Sequence, residues 1–188
     1  MVEVQHILPE PASLTAHRAA NPNGPWDSLP SAAEKRELRH QLNLEQDGLC
    51  VYCEDNIALD EGHVEHIKSK TLNPPLTFVY YNLAHSCDGP GHCGHRKRRQ
   101  DLPIEPRPGA NRHFALSEIT GRISSAIGLP ASEKKKALDT LTMLGLNDHP
   151  GLNRRRQQFA ATLGSLSSAA DRADFLASSP FRWSLKCL

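Results

Sequence analysis

The sequence predicts an α+β protein built on a strand, loop, strand and helix unit with helices before and after it. Three observations carry that reading. Gly62-His63-Val64-Glu65-His66-Ile67 alternates in β fashion between two cysteine pairs, Cys50/Cys53 and Cys87/Cys93. A helical pattern with a capping box precedes the first pair, and the last third of the chain carries helical apolar stripes.

Taken in order, residues 1–30 read as an extended N-terminal arm. Pro9, Pro11 and the run Asn21-Pro22-Asn23-Gly24-Pro25 impose turns, and Trp26 is its anchor onto the body. Residues 31–102 form the core. Ser31-Ala32-Ala33-Glu34 caps a helix that places Leu38 and Leu42 on one face and runs to about Glu45, where Gly48 follows to lead into the first cysteine pair. After the alternating segment, Asn73-Pro74-Pro75 breaks regular structure, and Phe78-Val79-Tyr80-Tyr81 is short and aromatic. Gly89-Pro90-Gly91 forces a tight turn between Cys87 and Cys93, and a helix starts directly after the last cysteine. Residues 103–188 form a mostly helical extension. It opens with a strand-like Phe114-Ala115-Leu116 unit turned at Gly121. Helices follow from Ser132 to Leu144 (burying Ala137, Leu138, Leu141 and Leu144), from Pro150 through Leu152, Phe159, Leu163 and Leu166, and from Ala169 to Ala177.

With 188 residues the chain can bury a real core, yet its apolar fraction is 38% and its aromatic fraction 5%, so a metal staple would help. A net charge of +1 advertises no global affinity for nucleic acid; any such signal is local. No stretch approaches the ~20 apolar residues that cross a bilayer, and no signal-peptide pattern opens the chain, so a cytoplasmic location is expected. In that compartment a Cys-x-x-Cys is a metal site before it is a disulfide. Cys187 lies far from the pairs and reads as a free thiol.

Four thiolates from two knuckles suit a tetrahedral zinc, so Cys50, Cys53, Cys87 and Cys93 are the expected ligands. His92, beside Cys93, is the alternative fourth ligand. Such a closed site is structural, because it leaves no position for a reacting water. Chemistry would come from Glu65, His66, Asn82 and His95. A neutral imidazole can strip a proton from water, and a divalent cation held by hard oxygen can stabilise charge on a phosphodiester. One constraint stands against this. Neighbouring strand residues face opposite ways, so Glu65 and His66 need a twist or bulge, or a metal on one side and a water on the other.

These residues resemble the HNH endonuclease superfamily, whose ββα-metal core carries an acid-or-His/His pair, a middle Asn and a final His or Asn. Glu65-His66, Asn82 and His95 stand in that order, enclosed by cysteine pairs as in its zinc-containing members. The resemblance implies that His66 is the general base and that Asn82 orients it and stiffens the loop. It implies that Glu65 and His95 ligate a catalytic Mg²⁺ or Mn²⁺, and that Lys97, with Arg96, contacts substrate phosphate. Many relatives place the final His directly after the last cysteine, a position held here by Gly94. The stretches Gln46–Glu54, Glu65–Lys70, Tyr81-Asn82-Leu83 and Leu144-Gly145-Leu146-Asn147, with Leu152 and Arg155 or Arg156 and with Trp26 upstream, look like the PtuB-type HNH proteins of Septu and retron-associated anti-phage systems. That likeness implies a partner ATPase of the PtuA type and a role in defence, with the helices from about residue 132 as the docking surface.

Substrate could be DNA, the first choice, or RNA, since nothing in the motif senses a 2′-hydroxyl. The rival reading is a zinc-stabilised, non-catalytic interaction module of an ATPase complex. His63, His85 and His113 read as satisfied polar residues. The runs Lys134-Lys135-Lys136 and Arg154-Arg155-Arg156 read as surface or partner contacts.

Overall fold

A computed structural model describes residues 1–22, 24–28 and 31–188. Asn23, in the expected Asn-Pro-Asn-Gly turn, and Leu29 and Pro30, at the end of the expected arm, lie outside the described residues. The α+β class holds, and its helices and strands come in the anticipated order with two added helices.

The first addition is in the arm, which is not extended throughout. Helix α1 (Ala12–Ala20) begins immediately after Pro11, which occupies the N-cap. A proline there costs nothing, because the first helical N–H groups have no intrahelical acceptor anyway. The alanine-rich segment between the prolines then winds freely. Helix α2 (Ala32–Glu45) starts as expected, with the Ser31 hydroxyl accepting the Glu34 N–H at 3.1 Å and donating to its carboxylate at 2.9 Å. Trp26 does anchor the arm, packing edge-on against His66 with ring centroids 4.7 Å apart and stacking on Phe78.

Strand β1 (His63–His66) pairs antiparallel with β2 (Leu83–Ser86), aligning His63 with Ser86, Val64 with His85, Glu65 with Ala84 and His66 with Leu83. The pleat divides this hairpin into two faces. Val64, His66 and Leu83 look toward α1 and α2, where Leu14, Leu38, Leu42, Phe78 and Tyr80 form one apolar cluster. On the opposite face, Ala84 joins a larger cluster that contains the cysteines and residues of the C-terminal helices. Helix α2 is fastened to β2 by buried amides. The Gln46 side chain accepts the His85 N–H and donates to the His85 carbonyl, and Asn43 donates to His85 Nδ1.

Helix α3 (Cys93–Lys97) follows the last cysteine. Strands β3 (Phe114–Leu116) and β4 (Ile123–Ser125) make a second small hairpin, turned at Gly121 with φ of 63°. Helices α4 (Ala131–Leu144), α5 (Pro150–Ser165) and α6 (Ala169–Ser178) match the predicted spans to within a residue or so, and a short α7 (Arg182–Leu185) adds to them. Two expectations within these helices change. Leu138 is 44% exposed and Thr140 takes a buried place instead, its hydroxyl holding the Ile104 N–H. Arg156, expected at the surface with its arginine neighbours, is fully buried. It falls on the α5 stripe with Leu152, Ala160 and Leu163, so helical period overrides its charge.

Glu54, directly after Cys53, ties the far end of the chain to the cysteines. Its buried carboxylate accepts the Met1 ammonium at 2.7 Å and the backbone N–H groups of Trp183 and Ser184 in α7. No helix among the described residues is long and apolar enough to cross a membrane.

Candidate active site at the cysteine-bracketed hairpin

The four cysteines of the two pairs converge, their sulfurs all lying within 4.8 Å of one another. Cys50 Sγ is 3.8 Å from Cys93 Sγ, and Cys53 Sγ is 3.9 Å from Cys87 Sγ. A tetrahedral ion with bonds of about 2.3 Å spaces its sulfurs by about 3.8 Å, whereas a disulfide needs about 2 Å. The donor set therefore fits a ZnS₄ centre. Four thiols this crowded cannot all ionise by themselves. Hydrogen bonds from Cys50, Cys53 and Cys93 pull the Cys87 thiol far down, while burial and the neighbouring sulfurs push Cys93 up. A divalent cation removes that conflict. His92 is near but outside the set, with Nδ1 3.1 Å from Cys93 Sγ, close enough to support a thiolate as a donor.

The pleat sends Glu65 and His66 to opposite faces, as strand geometry dictates. Glu65 points toward the cysteines and α3. Its Oε1 accepts the Lys97 ammonium at 2.8 Å and the Tyr52 hydroxyl at 3.1 Å, and its Oε2 faces His63 Nε2 at 3.4 Å. Burial opposes ionisation of Glu65, but His63 and Lys97 outweigh it and hold the carboxyl below its usual range. Lys97 is only 1% exposed and also donates to the His66 carbonyl, so this ammonium is built into the interior and does not reach out for a phosphate. Arg96 is outside, paired with Asp148 at 2.8 Å.

His66 points toward the α1–α2 side, where Trp26 covers it. Its Nε2 donates to the Thr77 carbonyl at 3.0 Å. A carbonyl can only accept, so the bond fixes the neutral tautomer that leaves Nδ1 with a bare lone pair. Among the described residues no hydrogen bond is made to that nitrogen. Burial drives the imidazole pKa down to about 4, which keeps the ring neutral near pH 7. Asn82 stands at the base of the same loop. Its Oδ1 accepts the Lys68 N–H, and its Nδ2 donates to the carbonyls of Lys68 and Leu76. Because Leu76 precedes Thr77, Asn82 fixes the backbone that holds His66.

His95 does not meet Glu65 directly. Its Nε2 is 3.3 Å from Asp88 Oδ1, the same oxygen that His63 Nδ1 reaches at 2.8 Å. Burial works against protonation of His63, yet the Glu65 and Asp88 carboxylates outweigh it and raise the ring to about 9. His63 is thus the link between the two residues that the sequence paired, and it is no ordinary surface histidine. The period-2 rule signals this: His63 and Glu65 are two apart and share a strand face. Asp88 carries no such signal. His85 and His113 do behave as satisfied polar groups, His85 between Asn43 and the Glu61 carbonyl and His113 between the Ala110 carbonyl and Glu133.

Beside the hairpin, a groove of about 600 Å³ is bounded by Trp26, Lys35, Arg36, Arg39, His63 and Val64. Its three cations stand on one side of α2 at helical spacing. They escaped notice in the sequence because Glu37 and Leu38 interrupt them.

No protein-family model matches the chain. Among characterised proteins it is 39% identical, over 132 residues, to a protein of Vibrio cholerae serotype O1 biovar El Tor that bears the name "Retron Vc95 putative HNH endonuclease". The match takes in 65% of this chain and 64% of that protein. Over those residues the chain is similar to a protein named as an HNH endonuclease. It spans a little under two thirds of the length of the relative it matches.

Proposed function

We propose that this chain is a metal-dependent HNH endonuclease. In this reading residues 31–102 form a zinc-stabilised ββα-metal core that hydrolyses phosphodiester bonds of nucleic acid, DNA before RNA, and residues 103–188 are a helical extension packed on it. The observation that carries the proposal is the tautomer of His66. With Nε2–H committed to Thr77, a neutral imidazole presents Nδ1 as a base able to take a proton from an attacking water. Asn82 acts through the loop, holding the carbonyl next to the one that orients His66. Cys50, Cys53, Cys87 and Cys93 hold Zn²⁺, which braces the floor of the site without reacting.

Mg²⁺ or Mn²⁺ is the catalytic ion in this reading; His95, with His63 and Asp88 beside it, offers the imidazole and hard oxygen donors that suit it, and Glu65 stands behind His63. Bound there, the ion would supply charge stabilisation at the phosphate. Lys97 contributes by holding Glu65. Phosphate contact falls instead to Arg96 on α3 and the groove residues Lys35, Arg36 and Arg39.

The retron name of the relative supports a defence-type role; the same reading places the protein in the cytoplasm with a PtuA-type ATPase as the partner that restrains or activates the nuclease. The Lys97–Glu65 ion pair favours the rival reading, a zinc-stabilised interaction module, because it satisfies Glu65 within the fold. Cleavage of plasmid DNA, single-stranded DNA and tRNA separates the two, run with and without the ATPase and nucleotide. A nuclease cuts at least one substrate and loses that activity in His66→Ala with fold and zinc intact. A module cuts none under any of these conditions.

A further inference from the structure

Two histidines converge on one carboxylate oxygen at the mouth of the hairpin. We infer that His63, Asp88 and His95 form a second metal site, one that takes a divalent transition cation, and that Glu65 serves it by orienting His63 and not as a ligand. This rests on the nuclease reading only for its purpose; the binding itself is an independent claim.

One donor atom from each of His63, Asp88 and His95 lies within 4.8 Å of the other two. His63 Nδ1 is 2.8 Å and His95 Nε2 3.3 Å from Asp88 Oδ1, and the two imidazole rings are edge-on with centroids 5.1 Å apart. Ligands about 2.1 Å from a common ion stand about 3.0–3.4 Å apart when they are neighbours on it, so small side-chain rotations complete the set. All three side chains have that freedom, being 31%, 59% and 52% exposed. Each histidine could pair with Asp88 separately. The convergence of both rings on one oxygen is what a shared ion would require.

Glu65 cannot join them as matters stand. Its Oε1 is taken by Lys97 and Tyr52, and its remaining oxygen looks at the other nitrogen of His63, Nε2, at 3.4 Å. A carboxylate behind the distal nitrogen of a histidine fixes the tautomer and aims the near nitrogen, Nδ1, at a metal. Gly94 makes the contact possible: a Cβ at that position would come within 2.7 Å of both Glu65 Oε2 and His63 Nε2. The side chain missing from the first residue after Cys93 is therefore replaced, in space, by the imidazole of His63.

Three protein ligands leave open positions for water and for a substrate phosphate. The site faces a groove of about 630 Å³ whose walls include His95 and two cations, Arg96 and Arg98, which suit that phosphate. Two imidazoles with one carboxylate favour Mn²⁺ over Mg²⁺, which prefers oxygen alone.

The test is a Mn²⁺ titration of the zinc-loaded full chain, followed by loss of the free-ion electron paramagnetic resonance signal, with zinc content and circular dichroism checked for each variant. Wild type is expected to bind one Mn²⁺ beyond its zinc. Asp88→Asn and His63→Ala should each weaken binding at least tenfold, and Asp88→Asn is the variant least able to disturb the fold. Glu65→Gln, acting through His63, should weaken it by roughly ten- to a hundredfold without abolishing it. The inference is overturned if wild type binds no Mn²⁺ at millimolar concentration. It is equally overturned if Glu65→Gln abolishes binding while His63→Ala and Asp88→Asn leave it unchanged. Mn²⁺ bound as described, with no nucleic acid cut even with the ATPase and nucleotide present, would refute the nuclease reading alone.

Discussion

Acid is expected to weaken the fold through His66, and the size of the effect follows from its surroundings. The ring is buried against Trp26 and bonded through Nε2 to Thr77, and burial lowers its pKa from 6.5 to about 4. Between those values the unfolded chain binds a proton that the folded chain refuses. The stabilisation is therefore complete above the unfolded value and is lost as pH falls through the window below it. Linkage makes the loss about 2 kcal/mol at about pH 5, and about 3 kcal/mol once pH falls well below 4. His66→Gln has no such proton to take, and its amide can still donate to the Thr77 carbonyl. Urea unfolding of both proteins, zinc-loaded, at about pH 7.5 and about pH 5 isolates the term from other acid-sensitive groups, which cancel in the difference. The stability advantage of wild type over the variant should shrink by about 2 kcal/mol between the two conditions. Curves that shift in parallel, leaving that difference unchanged, would refute the assignment of a buried neutral imidazole at this position.

Three further outcomes follow from other parts of the molecule. Cys50→Ser removes one of four ligands, so bound zinc should fall from one per chain to none by metal analysis. Much of an apparent binding free energy of about 10 kcal/mol would then leave the folded state, so the variant should melt without cooperativity. Asn82→Ala deletes three part-buried hydrogen bonds across the loop, a cost of about 3 kcal/mol in urea. It should also speed amide hydrogen exchange at Lys68, which loses its acceptor. Arg156 is buried without partners for Nε and Nη2 among the described residues, and Cys53, Glu54 and Cys93 contribute most of the negative charge acting on it. Arg156→Met therefore leaves a buried ZnS₄ dianion without its countercharge, and a loss of about 3 kcal/mol with faster zinc release to a chelator is expected. An unchanged release rate would assign Arg156 to packing only.

Much of this architecture was legible because it obeys short periods. The capping box at Ser31, the alternation around Glu65 and the stripe of α5 are local patterns, and each element formed where its pattern lay. The cysteine cluster was legible for a different reason: two turn-flanked pairs have few other uses in a reduced chain. What escaped was set by tertiary packing. Strand β2 is buried along all four residues, so Leu83–Ser86 shows no alternation to mark it. Helix α1 was masked by prolines that turned out to precede it. Helix α7 depends on a carboxylate 129 residues away in sequence, Glu54, which accepts its first N–H groups. At the site, residue types announced Glu65, His66, Asn82 and His95, but only the pleat and the loop after Cys87 decided their partners. Those two features gave Glu65 to Lys97 and His63, and gave His95 to Asp88.

The proposed role of His66 as base is tested most directly by chemical rescue. Zinc-loaded His66→Ala, supplied with Mn²⁺ and a cleavable substrate, should cut about 10²–10⁴-fold more slowly than wild type. Added imidazole, able to occupy the vacated space beside Thr77 and Trp26, should restore part of that rate in proportion to its neutral form. A variant that cuts as fast as wild type, one whose rate imidazole leaves unchanged, or one that a non-basic azole of similar size rescues equally well would contradict the account.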